Sequence, residues 1–121
     1  MSVRETTPII KLGSNLLLSL QGDLDDSAVL QLESEITEAV ADTGATGVLL
    51  EVSGLEFVDS FIARVIARVA AMVRLLGAEA VVVGIQPAVA ITLIELGVGM
   101  KHLRTALNAA EGMTLLERIR D

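Results

Sequence analysis

Gly47-Val48-Leu49-Leu50-Glu51-Val52 is the stretch that decides the fold. Its aliphatic residues run nearly unbroken and are bounded by glycines, where a strand with one wet face would alternate apolar with polar. That is the form of a strand covered on both faces, which parallel sheets produce. Beyond the loop 53–59 the period changes. Ile62, Val65, Val69, Met72 or Val73, and Leu76 recur every three or four residues and stop at Gly77, so a helix is expected over 60–76. The alternation then repeats: 79–85 is a β-branched strand, Gln86-Pro87 is a turn, and Pro87 opens a helix reaching about Leu96, at a position where its missing N–H costs nothing.

Working upstream, Gly22-Asp23-Leu24-Asp25-Asp26-Ser27 supplies short acceptors for the unpaired N–H groups of a helix start. Val29, Leu32, Ile36 and Val40 then share one face, with Glu33, Glu35, Glu38 and Asp42 largely off it. This amphipathic helix is expected to end near Thr43-Gly44. Before it, 9–12 and 16–20 are apolar runs separated by Gly13-Ser14-Asn15, the pattern of a hairpin. Downstream of Gly97-Val98-Gly99, 103–107 reads as a short strand. Asn108 with Glu111 three residues on then forms a cap pair for a last helix carrying Met113, Leu116 and Ile119. The order predicts one α/β domain over 1–121: a mixed, mainly parallel sheet with an opening hairpin and about four helices packed against it.

Composition bounds the function. The chain has 121 residues and a net charge of −7, from 9 Lys+Arg against 16 Asp+Glu, so it projects no positive field toward a phosphate backbone and no nucleic-acid partner is expected. Cysteine is absent and histidine occurs once, as His102, which leaves no disulfide framework, thiol chemistry or two-His metal site. Neither a metal nor a cofactor is expected, and the thiol-free composition suits a reducing cytoplasm. Hydrophobic residues make up 52% of the chain, with a mean hydropathy of +0.64, and 81–100 holds a single charged residue, Glu95. That length would span a bilayer. Gly84, Gln86, Pro87, Thr92, Gly97 and Gly99 interrupt it, however, and the expectation is a buried strand followed by a buried helix, with no membrane partner. Residues 1–8 carry charges of both signs and no apolar core, so no secretory signal is read there.

Chemistry is concentrated in Leu55-Glu56-Phe57-Val58-Asp59-Ser60-Phe61-Ile62, just past the carboxyl end of the central strand, where α/β folds present their functional loops. Ser60 lies at or within one residue of the helix N-cap. The ordinary use of such a hydroxyl is to accept a backbone N–H. The functional use is as a phosphate acceptor, which would set roughly −1.5 to −2 charges against the positive end of the helix. Arg64 lies one turn on and Arg68 one turn further. Like charges at that spacing repel slightly, so helix stability does not explain them, and each taken singly is ordinarily part of a solvated face. Together they suit docking of an acidic partner.

Asp59 admits another reading, the phosphoacceptor of a receiver domain. That chemistry also needs an acidic cluster for Mg²⁺, which Asp23, Asp25 and Asp26 would have to supply, and a lysine after a late strand, for which only Lys101 is available. Asp59 is better read as a helix-start carboxylate. A serine nucleophile would need His102 as its base, and Gly-x-Ser-x-Gly is absent. The glycines at 97 and 99 match neither a phosphate loop nor a dinucleotide fingerprint.

Two segments carry a family likeness: Val58-Asp59-Ser60-Phe61-Ile62-Ala63-Arg64-Val65, and the run from Val82-Val83-Gly84-Ile85-Gln86-Pro87 through Ala88-Val89-Ala90-Ile91-Thr92-Leu93-Ile94-Glu95-Leu96-Gly97. With them the chain resembles, over essentially its whole length, the STAS-domain family of anti-sigma-factor antagonists, and in particular the small single-domain members found in bacterial stressosomes. The resemblance implies a non-enzymatic phosphoswitch with Ser60 as the residue phosphorylated by a partner serine/threonine kinase. Asp59, Phe61, Arg64 and Arg68 are expected to form the switch and partner-binding region around it. It further implies a large hetro-oligomer with STAS-domain paralogues bearing N-terminal sensor domains, a sequestered kinase, and a phosphatase to reset the switch. A nucleotide- or small-molecule-binding regulatory STAS domain is the alternative. Any apolar surplus left after the core is filled is expected at subunit contacts, and with 2% aromatic residues that contact surface would be aliphatic.

Overall fold

The computed structural model describes residues 9–21, 25–55, 58–97 and 103–120. The two apolar runs at the start form β1 (Ile9–Leu12) and β2 (Asn15–Gln21), paired antiparallel with Leu12 opposite Asn15. The turn is therefore Gly13-Ser14 alone. Asn15, expected in the turn, instead opens β2 and is 2% exposed, with its amide donating to the Met113 sulfur at 3.3 Å. Helix α1 (Asp26–Thr43) follows, capped by the Asp25 carboxylate, which accepts from the Ala28 N–H at 2.8 Å. Strand β3 (Gly47–Gly54), helix α2 (Ser60–Leu75), strand β4 (Glu79–Val83), helix α3 (Pro87–Leu96), strand β5 (Arg104–Ala106) and helix α4 (Ala109–Arg120) complete the chain.

The five strands lie in the order β1-β2-β3-β4-β5, with every pair after the hairpin parallel. Alternate residues of β3 point to opposite faces. Val48, Leu50 and Val52 face a core built with Leu32 and Ile36 of α1, Ile66 and Val69 of α2, and Val89 and Leu93 of α3. Leu49 faces the other way, onto Val81, Val83 and Leu116 of α4. Both faces of β3 are thus dry, as its unbroken apolar sequence predicts. Leu32, Ile36, Val48, Leu49 and Leu50 are all 0% exposed, each contributing about 1.5–3 kcal/mol relative to an exposed side chain.

Two expectations are corrected. The strand expected over 79–85 ends at Val83, because Gly84 adopts φ 78° and a Cβ there would lie 2.7 Å from a Glu51 carboxylate oxygen. Helix α3, expected to be buried, covers only Val89 and Leu93; Ile91 and Ile94 stand 61% and 75% exposed. The sheet ends one strand beyond β4, in the three-residue edge strand β5. Among the described residues no helix is long and apolar enough to cross a membrane.

Candidate functional site

At the carboxyl end of β3 the chain turns through buried Leu55 and Val58 into α2. Asp59 is the N-cap, with extended backbone, and its carboxylate accepts from the Ile62 N–H at 2.9 Å. Ser60 is consequently the first helical residue, exposed to solvent. Among the described residues no hydrogen bond engages its hydroxyl. The capping duty that ordinarily occupies a serine at a helix start belongs here to its neighbour. Asp59 Oδ1 is committed to that cap, and Asp25 caps α1, so two carboxylates of the receiver reading already have structural work. Asp23, Lys101 and His102, also invoked for catalytic or metal readings, lie outside the described residues, as do Glu56, Phe57, Val98 and Gly99. Among the described residues no group of three His, Cys, Asp or Glu side chains stands close enough to hold a metal ion.

Phe61, Arg64 and Arg68 all line one open groove between α1 and α2, which also takes in Asp26, Leu30 and Glu33. Phe61 is half-buried against the core, and Arg64 is exposed. Arg68 is bound within the chain: its Nε lies 2.5 Å from Glu33 Oε2, with the Arg68 side chain 69% exposed and that of Glu33 8% exposed. Sequence reading set Glu33 largely off the apolar face of α1, yet it is 6% exposed. Its spacing holds the reason, since 29, 33, 36 and 40 follow the helical repeat as well as 29, 32, 36 and 40 do. Arg64 has no ion-pair partner among the described residues, which makes it the cation of this groove available to an incoming anion. Leu30, 68% exposed on the facing helix, adds an apolar contact that motif reading missed.

The floor beside this loop is braced from β4. Gln86 Nε2 donates to the Ser53 carbonyl at 2.6 Å, and the Ser53 N–H donates to Glu51 Oε1 at 2.6 Å. Gln86 thus ties the β4–α3 turn to the end of β3, from which the loop carrying Ser60 departs. The site is an exposed hydroxyl on a capped helix, beside an arginine with no ion-pair partner among the described residues and an open groove, on a braced platform. That arrangement suits reversible modification and docking of a protein surface.

Residues 3–111 match the STAS domain family. Over 93% of its length the chain is 27% identical to the RsbT co-antagonist protein RsbRA of Bacillus subtilis (strain 168), of which it spans 42%. The chain therefore spans about two fifths of the length of the curated relatives it matches. Among solved structures, a serine-to-glutamate variant of Moorella thermoacetica RsbS is 34% identical and superposes with a TM-score of 0.83, covering 96% of this chain and 98% of that one. A chain from the molecular architecture of the stressosome, a signal integration and transduction hub, is also 34% identical with a TM-score of 0.83, covering 93% of this chain and 98% of its own.

Proposed function

The chain belongs to the STAS-domain family, and from that premise we propose that it is a non-enzymatic scaffold subunit of a stressosome-type signalling complex, holding a serine/threonine kinase until phosphorylation of Ser60 releases it. The observation that carries this reading is the division of labour at the start of α2: Asp59 caps the helix, and the exposed Ser60 hydroxyl is disengaged among the described residues. Ser60 can then accept a phosphate without the helix losing its cap. The resemblance to RsbS along nearly the whole of both chains, and to RsbRA over part of that protein, supports STAS paralogues with N-terminal sensor domains as co-subunits, with a phosphatase closing the cycle in the cytoplasm.

The switch is electrostatic. A neutral Ser60 lets a partner surface lie over the helix end and the groove. A phosphate brings roughly −1.5 to −2 charges to the same place. Covering that dianion without compensating cations costs on the order of several kcal/mol, enough to eject a partner with no refolding. Arg64, one turn along and without an ion-pair partner among the described residues, takes up part of the charge within the chain, which lowers that burial cost but withdraws a free cation from an acidic partner.

The test is phosphosite mapping after incubation with the kinase that co-purifies with the chain. A single phosphate on Ser60 is expected, and Ser60→Ala should abolish it; a variant phosphorylated like wild type sinks the assignment. Ser60→Asp should weaken kinase binding by at least about tenfold. The groove between α1 and α2 gives the ligand-binding alternative a location. Stoichiometric heat of binding with ATP or GTP in calorimetry would favour that reading instead.

A further inference from the structure

The Ser60 hydroxyl stands in a field that opposes the transfer of a phosphate to it. The chain carries a net charge of −7, and Asp59, whose carboxylate caps α2, is the residue next to Ser60. Asp26, at the start of the facing helix α1, lines the groove that opens beside it. A triphosphate brought to Ser60 adds its own negative charge to these carboxylates. In the loose transition state of phosphoryl transfer that charge is spread over three equatorial oxygens, and catalysis is almost entirely positioning and charge stabilisation. A cation at the start of α2 would act where the charge develops.

Two arginines of α2 line the groove, and they differ in what already holds them. Arg68 is tied to Glu33 of α1, two turns below Ser60. Arg64 is exposed and has no ion-pair partner among the described residues. It lies four residues after Ser60, about 6 Å along the helix axis and on the same face. Side chains on a helix lean toward its N-terminus, so the surface that Arg64 covers lies over the turn that Ser60 begins. The guanidinium is thereby aimed at the end of the helix where the hydroxyl stands disengaged.

We infer that Arg64 is a catalytic residue of Ser60 phosphorylation, supplied by the substrate chain itself, whose guanidinium pairs with the oxygens of the phosphoryl group in flight. The inference rests on Ser60 being the phosphate acceptor and adds a residue to the transfer. Ser60 Oγ attacks the γ-phosphorus of MgATP held by the kinase. The Oγ–P bond forms as the bond from phosphorus to the β,γ-bridging oxygen breaks, ADP leaves with that electron pair, and the hydroxyl proton passes to a carboxylate base of the kinase. Arg64 exchanges no proton and forms no covalent bond, since a guanidinium stays charged throughout. Its fork takes two phosphoryl oxygens at once and offsets the adjacent Asp59 carboxylate as the charge moves. The same contact survives in the product, so one arginine sets both how fast the switch is thrown and how the thrown state is held.

Initial rates of Ser60 phosphorylation by the kinase that co-purifies with the chain, at saturating MgATP and varied chain concentration, test this. Arg64→Ala should lower kcat by about a hundredfold or more. Its KM should stay within about threefold of wild type, because the contact forms with the transferring group and not with the docked kinase. Arg64→Lys keeps the charge but not the fork and should lose about tenfold, which tests the role even if Arg64→Ala were not to fold. Millimolar guanidinium added to Arg64→Ala should restore part of kcat, as the loss of a structural contact would not. Arg74→Ala, at an exposed arginine on the last turn of the same helix, should leave kcat and KM unchanged. An Arg64→Ala chain whose kcat is undiminished overturns the inference, and so does one that changes KM alone, which would make Arg64 a docking cation. An Arg64→Lys chain as fast as wild type overturns it too. In those cases wild type still carries its phosphate on Ser60 and the switch reading stands; a wild type that takes no phosphate there overturns both.

Discussion

Asp59 and Ser60 are neighbours with opposite energetic roles. Replacing an N-cap aspartate by alanine strands a backbone N–H, and Asp59→Ala should cost about 1 kcal/mol of stability. Ser60→Ala removes an exposed hydroxyl with no partner among the described residues and should change stability by no more than about 0.5 kcal/mol. Urea titration of the two variants checks this; a larger loss for Ser60→Ala would mean that the hydroxyl, not the carboxylate, holds the helix start. The two arginines divide in the same way. Removing Arg68 leaves the 8%-exposed Glu33 carboxylate without its partner. Arg68→Ala should therefore cost about 1–2 kcal/mol, a figure held down by the 69% exposure of the arginine itself. Arg64→Ala should be close to neutral for folding. A double-mutant cycle should show coupling between Arg68 and Glu33 and none between Arg64 and Glu33. The sign matters for function, because it leaves Arg64 as the arginine able to answer a phosphate on Ser60 without giving up a bond that the fold needs.

Helices and strands were legible wherever one physical signal dominated. The unbroken run of β3 announced a strand dry on both sides, and Asn108 does cap α4, its side-chain oxygen accepting from the Glu111 N–H at 2.9 Å. Three features were not legible because they depend on what lies across the sheet. Hydropathy could not tell that only Val89 and Leu93 of α3 are buried. Asn15 looked like a turn residue until Met113 of α4 was placed over it. Gly112, in the last helix, is where α4 meets the sheet: a Cβ there would stand 2.6 Å from Leu49 Cδ2 and 2.8 Å from Val83 Cγ1. The same was true of the site, where the Asp-Ser pair was visible in the sequence but the cis partner of Arg68 and the brace from Gln86 to Ser53 were not. Gly112 yields a prediction opposite in sign to helix propensity. In an exposed helix Gly→Ala gains about 1 kcal/mol. Here Leu49 and Val83 are both 0% exposed and have no room to withdraw. Gly112→Ala should therefore lower stability by about 1–3 kcal/mol, measured by denaturant unfolding.

At the scale of the whole molecule, the apolar content is spent on a platform with distinct ends. β3 and β4 are covered by α1, α2 and α3 on one face and by α4 on the other, while β1 and β5 are edges. A phosphate at the start of α2 meets a helix whose inner face, from Ile62 to Val73, is locked against that core. The energy a phosphate can exert there is a few kcal/mol of local electrostatics, delivered at an exposed, already capped terminus. It has no lever on β3 or β4 short of breaking the core itself. The switch should thus change what the surface accepts and leave the shape of the domain unchanged. Amide hydrogen exchange followed by mass spectrometry makes the distinction. β3 and β4 should exchange slowest and the edge strands faster, since protection follows burial and contact density. Between unphosphorylated and Ser60-phosphorylated chains, differences should be confined to the loop before α2, its first two turns, and the facing start of α1. A change of protection in β4, α3 or α4 would show that phosphate acts through the core.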